Sequence, residues 1–519
     1  MNQKKLHDHL YERDYLISII VLFLCILPIF KYDYVVADNA RAFLYNQGSN
    51  NWNIFLGCLF HRIPFDVLTG RPLVSLLGEC HEAYLVSKIE DLYYLRYFSF
   101  FFICINIFFL SKIFEKTELK KYKYLIGVLF FLSPGYFYMV NLGLNGLPAQ
   151  MALLLSILAV LYINKCKNYF DTKSILAGFF FIFANLIFPS FAFFSIILIL
   201  IDILLKEKIN TQIISASLKK ILFFIFCTLI YFIFSKFLIL ILNNLFNYYT
   251  HLSMQPGYNF SINTNFLLIF DKLKYFFKYK LLFEEIYENS KHLKFPTLGL
   301  DLISLILINI IVYKKVTIFN KNIKIINFLI TITISLVFLL GSISPWLFSN
   351  TISAAPHYFL PTFIFTPIFI FILLVRLNVN KTISFLIITL LVFFFNFSFL
   401  KTAKFMTLGD SYIKKEVEKF FYDKHYLNKS QLLIITDRYS HEEALGIVMA
   451  SLNDGYIKSI SNKKKFIFCN STDKDCRSKN ADKVIVNIVT KIEDFKENVN
   501  KVFIINLTEI IADKNIIFN

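Results

Sequence analysis

Eleven apolar runs occupy most of the first 400 residues, at about 15–30, 94–110, 124–138, 148–163, 174–187, 191–205, 221–245, 297–313, 326–341, 357–375 and 382–400. No other feature constrains the fold as strongly. A helix of about 20 apolar residues crosses a bilayer, whereas the core of a soluble domain has no room for eleven such segments. Composition agrees: of 519 residues 56% are apolar, and the mean hydropathy is +0.58. A soluble enzyme, a disordered chain and a collagen-like fibre are excluded. The sequence therefore predicts an α-helical polytopic membrane protein with about eleven transmembrane helices. The run at 174–205 also admits a re-entrant pair around Pro189. Residues 15–30 resemble the apolar core of a signal peptide, but no small-residue cleavage site follows, so an uncleaved first span is expected.

Charge sets the orientation. With the N-terminus in the cytoplasm, the loops 1–14, 111–123, 164–173, 206–220, 314–325 and 376–381 hold 21 Lys+Arg in 70 residues. The alternate loops 31–93, 139–147, 188–190, 246–296 and 342–356 hold 11 in 141, a density about fourfold lower. Cytoplasmic loops carry that excess in membrane proteins. The net charge of +18 is accordingly assigned to orientation and lipid headgroups, with no nucleic-acid partner. An odd number of spans places residues 402–519 outside the cytoplasmic membrane. That tail is polar, with β-type runs at Leu432–Ile435, Val484–Val489 and Val502–Ile505 and helical stretches near 410–424 and 441–452. A small C-terminal extracytoplasmic α/β domain is expected there, after a membrane domain spanning 1–401. In the loop 246–296, Phe266–Ile286 reads as an interfacial helix whose Lys272, Lys274, Lys278 and Lys280 meet headgroups among aromatics.

Eight cysteines divide by this topology. Cys25, Cys104 and Cys227 fall in spans, and Cys166 faces the cytoplasm. Cys58 with Cys80, and Cys469 with Cys476, form even pairs on the oxidising side, as disulfides do, although four unpaired thiols also fit. No spacing suggests a metal site, and a divalent cofactor is not expected.

Arginine is the sharpest signal. The chain has 54 Lys+Arg, of which only eight are Arg, yet Arg41, Arg62, Arg71 and Arg96 fall within 31–96. An even spread would put about one there. The guanidinium fork binds phosphate or carboxylate in bidentate fashion, which a lysine does not. The first outer loop is thus suited to hold an anion at the membrane surface, unless these arginines pair with Glu79, Glu82, Glu90 or Asp91. In the segment Tyr34-Val-Val-Ala-Asp38-Asn39-Ala-Arg41, one carboxylate sits just past the first span with an arginine three residues later. Asp38 can act as a general base toward a hydroxyl, kept ionised by Arg41. It equally fits a helix cap or a solvated loop acid. Trp52 offers a flat face for a sugar ring, or for the bilayer interface. Gly70-Arg71-Pro72-Leu73 makes a rigid turn that presents Arg71.

These elements resemble the GT-C glycosyltransferases, and among them most the type II O-antigen glucosyltransferase (Gtr) family. The resemblance implies a GT-C-like fold and inverting transfer of a hexose, glucose most commonly. The implied donor is a polyprenyl-phosphate-linked sugar, and the acceptor is a surface glycan such as the O-antigen of lipopolysaccharide. The reaction would occur on the periplasmic face of a bacterial cytoplasmic membrane. It casts Asp38 as catalytic base, Arg41 and Arg71 as ligands of the donor phosphate, and Tyr34, Asn39 and Trp52 as substrate contacts. Asn39 stands where relatives carry a second acid, which leaves Asp38 as the single candidate base. A later element, Ala354-Ala355-Pro356-His357-Tyr358-Phe359-Leu360-Pro361, resembles an Arg-Tyr-x-x-Pro entrance to a late span, with His357 in place of the arginine as a donor-phosphate ligand; a histidine lying at the interface fits as well. Three rivals were weighed. A transporter or flippase would need ionisable groups at mid-bilayer, and Lys236 is the one good candidate. An O-antigen polymerase or ligase would need a large arginine-rich late loop, and 246–296 has no arginine. A non-catalytic scaffold leaves the arginine cluster without a purpose.

Overall fold

The computed structural model describes residues 3–30, 52–68, 71–85, 92–133, 143–166, 171–246, 266–275, 284–285, 294–295, 297–316, 324–347, 360–397, 431–435, 466–468, 484–489 and 502–506. Each of the eleven apolar runs overlaps a described helix, though 134–138, 357–359 and 398–400 lie outside the described residues. In chain order the helices are α1 (Gln3–Phe30), α2 (Trp52–Leu68), α3 (Val74–Leu77), α4 (Glu79–Leu85), α5 (Leu92–Phe114), α6 (Lys123–Phe131) and α7 (Gly143–Ile163). There follow α8 (Thr172–Ile187), α9 (Pro189–Ala192), α10 (Phe194–Leu204), α11 (Thr211–Phe246), α12 (Phe266–Tyr275), α13 (Thr297–Val312), α14 (Lys324–Ser342), α15 (Ser344–Leu347), α16 (Phe365–Arg376) and α17 (Lys381–Phe397).

Four of these contain stretches long and apolar enough to cross a membrane: Tyr93–Phe114, Gly146–Ile163, Thr211–Leu238 and Lys324–Ser342. Four shorter apolar helices, Thr172–Ile187, Pro189–Leu204, Thr362–Arg376 and Lys381–Phe397, accompany them. Their outward faces are greasy. In Thr211–Leu238 only 22% of the most apolar window is buried, and α17 exposes Phe385, Leu386, Leu390, Phe393, Phe394 and Phe397. Water does not tolerate apolar surface on that scale, whereas lipid does. This is the architecture of a helical membrane protein.

The helices pack where the sequence offers small or polar residues inside apolar runs. A Cβ at Gly127 would sit 3.1 Å from Ile107, so glycine lets α6 approach α5 closely. Buried polar side chains satisfy one another across helices. Asn106 donates to Gln150 Oε1 (3.1 Å) and its carbonyl (3.0 Å), Thr366 donates to Asp301 Oδ1 (2.6 Å), and Ser335 donates to Asn309 Oδ1 (2.9 Å). Aromatic stacks fill the rest, such as Phe181 on Phe224 at 4.5 Å and Tyr122 on Phe371 at 4.7 Å. The α8–α10 run breaks at Phe188, which is extended (φ −154°), and Pro189 restarts the helix at its first turn.

Loops expected on one side of the membrane meet at one end of the bundle. Glu118 binds Lys315 (3.1 Å) and Arg376 (3.1 Å), linking three loops. The Ile209 amide donates to the Lys315 carbonyl (2.8 Å), and Lys220 donates to Asn164 Oδ1 (2.7 Å), which brings in two more. At the other end, the Leu73 amide donates to the Leu186 carbonyl (3.1 Å), and Lys272 reaches the carbonyl of Trp346 (2.7 Å).

Two expectations are corrected. The helix foreseen at Phe266–Ile286 is described only to Tyr275, and Glu284–Glu285 (β1) instead pairs antiparallel with Lys294–Phe295 (β2). Lys272 does not face headgroups: it is fully buried, its ammonium 5.5 Å from the centre of the Trp346 ring. Lys274 is exposed.

In the tail, β3 (Gln431–Ile435), β4 (Phe466–Phe468), β5 (Val484–Val489) and β6 (Val502–Asn506) form a parallel sheet in the order β4-β5-β3-β6. Three of these strands match the β-type runs foreseen to within a residue at each end. The helical stretches near 410–424 and 441–452 lie outside the described residues.

Candidate functional site

The segment between the first two apolar runs, expected as an outer loop, holds more helix than its sequence suggested. Helices α2, α3 and α4 pack together around a disulfide between Cys58 and Cys80, whose Cα atoms lie 5.5 Å apart, so the first expected pairing is present. Phe55 and the two sulfurs form a small buried cluster, with Leu56, Leu59, Leu76 and Tyr84 packed on it. Cys469 and Cys476 lie outside the described residues. Cys25, Cys104, Cys166 and Cys227 carry free thiols.

The Arg71-Pro72-Leu73 turn is pinned from both sides. Asp66, at the end of α2 and 1% exposed, accepts the Arg71 amide through its carbonyl (2.8 Å) and the Ser75 amide through Oδ2 (3.2 Å). The carboxylate thereby satisfies the first turn of α3, where a negative charge also complements the helix dipole. The hydrogen bond from the Leu73 amide to Leu186 then docks the turn on the C-terminal end of α8. The Arg71 guanidinium lies 5.2 Å from the centre of the Phe188 ring, and its charge reaches Tyr231 on α11. Arg71 is thus held where α2, α8 and α11 meet.

Beside it opens a cavity of about 1230 Å³. Its walls are apolar: Phe193 at the joint of α9 and α10, Ile196 from α10, Leu229 and Ile233 from α11, Val337 and Phe338 from α14. Its polar lining is sparse, comprising Asn185, Thr228, Tyr231, Lys236 and Ser344. Lys236 is the only ionisable cation among the described lining residues. Ile269 on α12 closes one edge next to Ser344 and Pro345. That edge is locked by Lys272, which donates to the Trp346 (2.7 Å) and Leu347 (3.3 Å) carbonyls at the end of α15. Burial lowers the Lys272 pKa to about 8.

Of the residues singled out in the sequence, Arg71 is not in the cavity lining but lies on Phe188, which precedes the lining Pro189. Arg96 is buried near the start of α5. Trp52 opens α2 and Arg62 lies within it. Tyr34, Asp38, Asn39, Arg41 and His357 lie outside the described residues. Lys236, read from sequence as a transporter-type group, lines the cavity. Sequence reasoning passed over Asp66, Asn185 and Tyr231. The signal for the last two was present, as polar side chains inside otherwise apolar runs, Asn185 just before the Pro189 break. Compared with protein-family models, curated proteins and solved structures, the chain matches none.

Proposed function

We propose that the chain is an inverting GT-C-type glycosyltransferase of a bacterial cytoplasmic membrane. In this reading it moves a hexose, glucose by the resemblance, from a polyprenyl-phosphate donor to a surface glycan on the periplasmic face. The observation that carries it is an apolar cavity of about 1230 Å³ between helices whose outer faces are lipid-type, with Arg71 held on Phe188, the residue before the lining Pro189. Small-molecule pockets run to about 300–1,000 Å³, and a prenyl chain needs more room and no polar partners. Each CH₂ kept out of water contributes about 0.8 kcal/mol, so a lipid-borne sugar is best met without leaving the bilayer.

The division of labour follows from the residue chemistry. Asp38 takes the proton of the acceptor hydroxyl as oxygen attacks the anomeric carbon from the face opposite the phosphate. Arg41 and Arg71, with His357, neutralise the phosphate as it departs; because phosphate leaves as an anion, no general acid is required. Trp52, Tyr34 and Asn39 contact sugar or acceptor. About eleven spans and a periplasmic C-terminal α/β domain that covers the site or selects the acceptor complete the proposal, with the N-terminus cytoplasmic. It is tested with the purified protein and a polyprenyl-phosphate hexose. Asp38→Asn is expected to abolish sugar transfer while donor still co-purifies. Full transfer by that variant removes the proposed base.

A further inference from the structure

A second cavity, of about 700 Å³, opens at the other end of the bundle, the end rich in lysine. It lies between the end of α7 and the first three turns of α11, lined among others by Asn164, Cys166, Thr211, Ser215, Lys219 and Lys220. Unlike the first cavity it is polar. Lys220 donates to Asn164 Oδ1 at 2.7 Å, which fixes one ammonium at its wall, and Lys219 is exposed at its mouth. The two nearby carboxylates are engaged: Asp202 pairs with Lys206 at 2.9 Å, and Asp171 Oδ1 accepts the Ser174 amide at 2.8 Å. With Lys173 and Lys206 also near, four lysines outnumber the two carboxylates, so the pocket is positive, with hydroxyl and amide groups beside the ammonium groups.

What lies below it identifies the ligand class. Thr211, Ser215 and Lys219 follow one another at four-residue steps, so they share one face of α11. Continued along that face, the helix carries Leu222 and Phe226, both large, apolar and exposed, before Leu229 and Ile233 turn into the wall of the first cavity. Polar donors and a cation at the helix start, followed by an unbroken greasy stripe, match a molecule with an anionic head and acyl tails. A free anion would use the head site and leave the stripe idle. We propose that this pocket binds the phosphate of an anionic phospholipid, its headgroup between Lys219 and Lys220 and its acyl chains along Leu222 and Phe226. Basic pockets between membrane helices hold anionic headgroups by the same physics. The site is distinct from the proposed donor cavity and does not depend on the glycosyltransferase reading.

The test is native mass spectrometry of the full chain in neutral detergent, offered equal amounts of phosphatidylglycerol and phosphatidylcholine with the same acyl chains. Each lysine near a headgroup is expected to contribute about fivefold to the preference for phosphatidylglycerol. Replacing both, as Lys219→Gln with Lys220→Gln, should bring the two lipids to parity, whereas the Arg pair should keep the preference. Ser215→Phe, which fills the pocket and changes no charge, should also abolish it, and guards against a misfolded Gln pair. Removing two lysines elsewhere at the same end, Lys324→Gln with Lys381→Gln, should leave it intact. Equal binding of the two lipids by the unaltered protein would overturn the proposal. So would a preference that survives both the Gln pair and Ser215→Phe, or displacement of the lipid by millimolar inorganic phosphate.

Discussion

The two ends of the bundle are built by different means. At the lysine-rich end, long charged side chains join Glu118 to Lys315 and Arg376 across loops, and tie Glu115 to Lys112 (2.8 Å) and Lys123 (3.1 Å) within the loop 111–123. At the other end the fastenings are a disulfide, a buried carboxylate under the Arg71 turn and a buried lysine on the end of α15. Partly solvated ion pairs tolerate small displacements, because charge attraction varies slowly with distance. A cross-link and a buried hydrogen-bonded ion do not. The difference indicates which end must hold its geometry: the one with the apolar cavity and Arg71.

Substitutions should therefore weigh more at the disulfide end. Asp38→Asn should lower transfer about 10²–10⁴-fold, the range for loss of a positioned base, with expression unchanged. Arg41→Lys should be nearly as harmful, because an ammonium lacks the bidentate fork. An activity assay on membranes with equal protein content checks both. Next is the disulfide, which closes a loop of sequence separation 22. Cys58→Ser should cost about 3 kcal/mol by loop-closure entropy, seen as a lower thermal midpoint that reductant no longer shifts.

Lys272→Ala should cost about 1–3 kcal/mol by leaving the Trp346 and Leu347 carbonyls without their donor. Burial lowers its pKa to about 8 from an ordinary value of 10.5, so the unfolded chain binds the extra proton between those values. Stability should therefore rise with pH from about 8 to 10.5, and the contribution is lost as pH falls through 8. Hydrogen exchange of 266–275, corrected for intrinsic rate, should show more protection at pH 9.5 than at pH 7.

The smallest effect is expected at the opposite end. Burial disfavours the Glu118 charge, but the hydrogen bond from Arg376 and the charge of Lys315 outweigh it and hold its pKa below the usual carboxylate range. Its contribution is full above the ordinary glutamate value and disappears as pH falls through the depressed one. Glu118→Gln should cost about 1 kcal/mol at neutral pH, less at high salt, by thermal unfolding. A loss at Glu118 larger than at Cys58 would reverse the contrast between the ends.

Much of the helical layout was legible because its signal is local. A run such as 326–341 is apolar over its whole length, and the structure makes it α14. Val484–Val489 is rich in β-branched residues and becomes β5 with those same bounds. The Cys58–Cys80 pairing was legible because the expected topology put an even pair of cysteines in one loop. The fold of 52–85 was not, because α2 to α4 are short and their positions depend on packing around the disulfide. Lys272 misled for a related reason. Its helix carries lysines among aromatics, as an interfacial helix does, and only the distant carbonyls of α15 turn that one side chain inward. Arg71 was picked out by residue type, clustering and its Gly-Arg-Pro turn; the apolar cavity is lined by helices from α8 to α15 whose side chains meet only in the folded chain.

The most direct measurement is the mass of the surface glycan from cells carrying the unaltered chain, the Asp38→Asn chain or no chain. Transfer of one hexose predicts a glycan heavier by one hexose residue in the first case alone. Identical glycan masses in all three, with the protein present in the membrane, would contradict it.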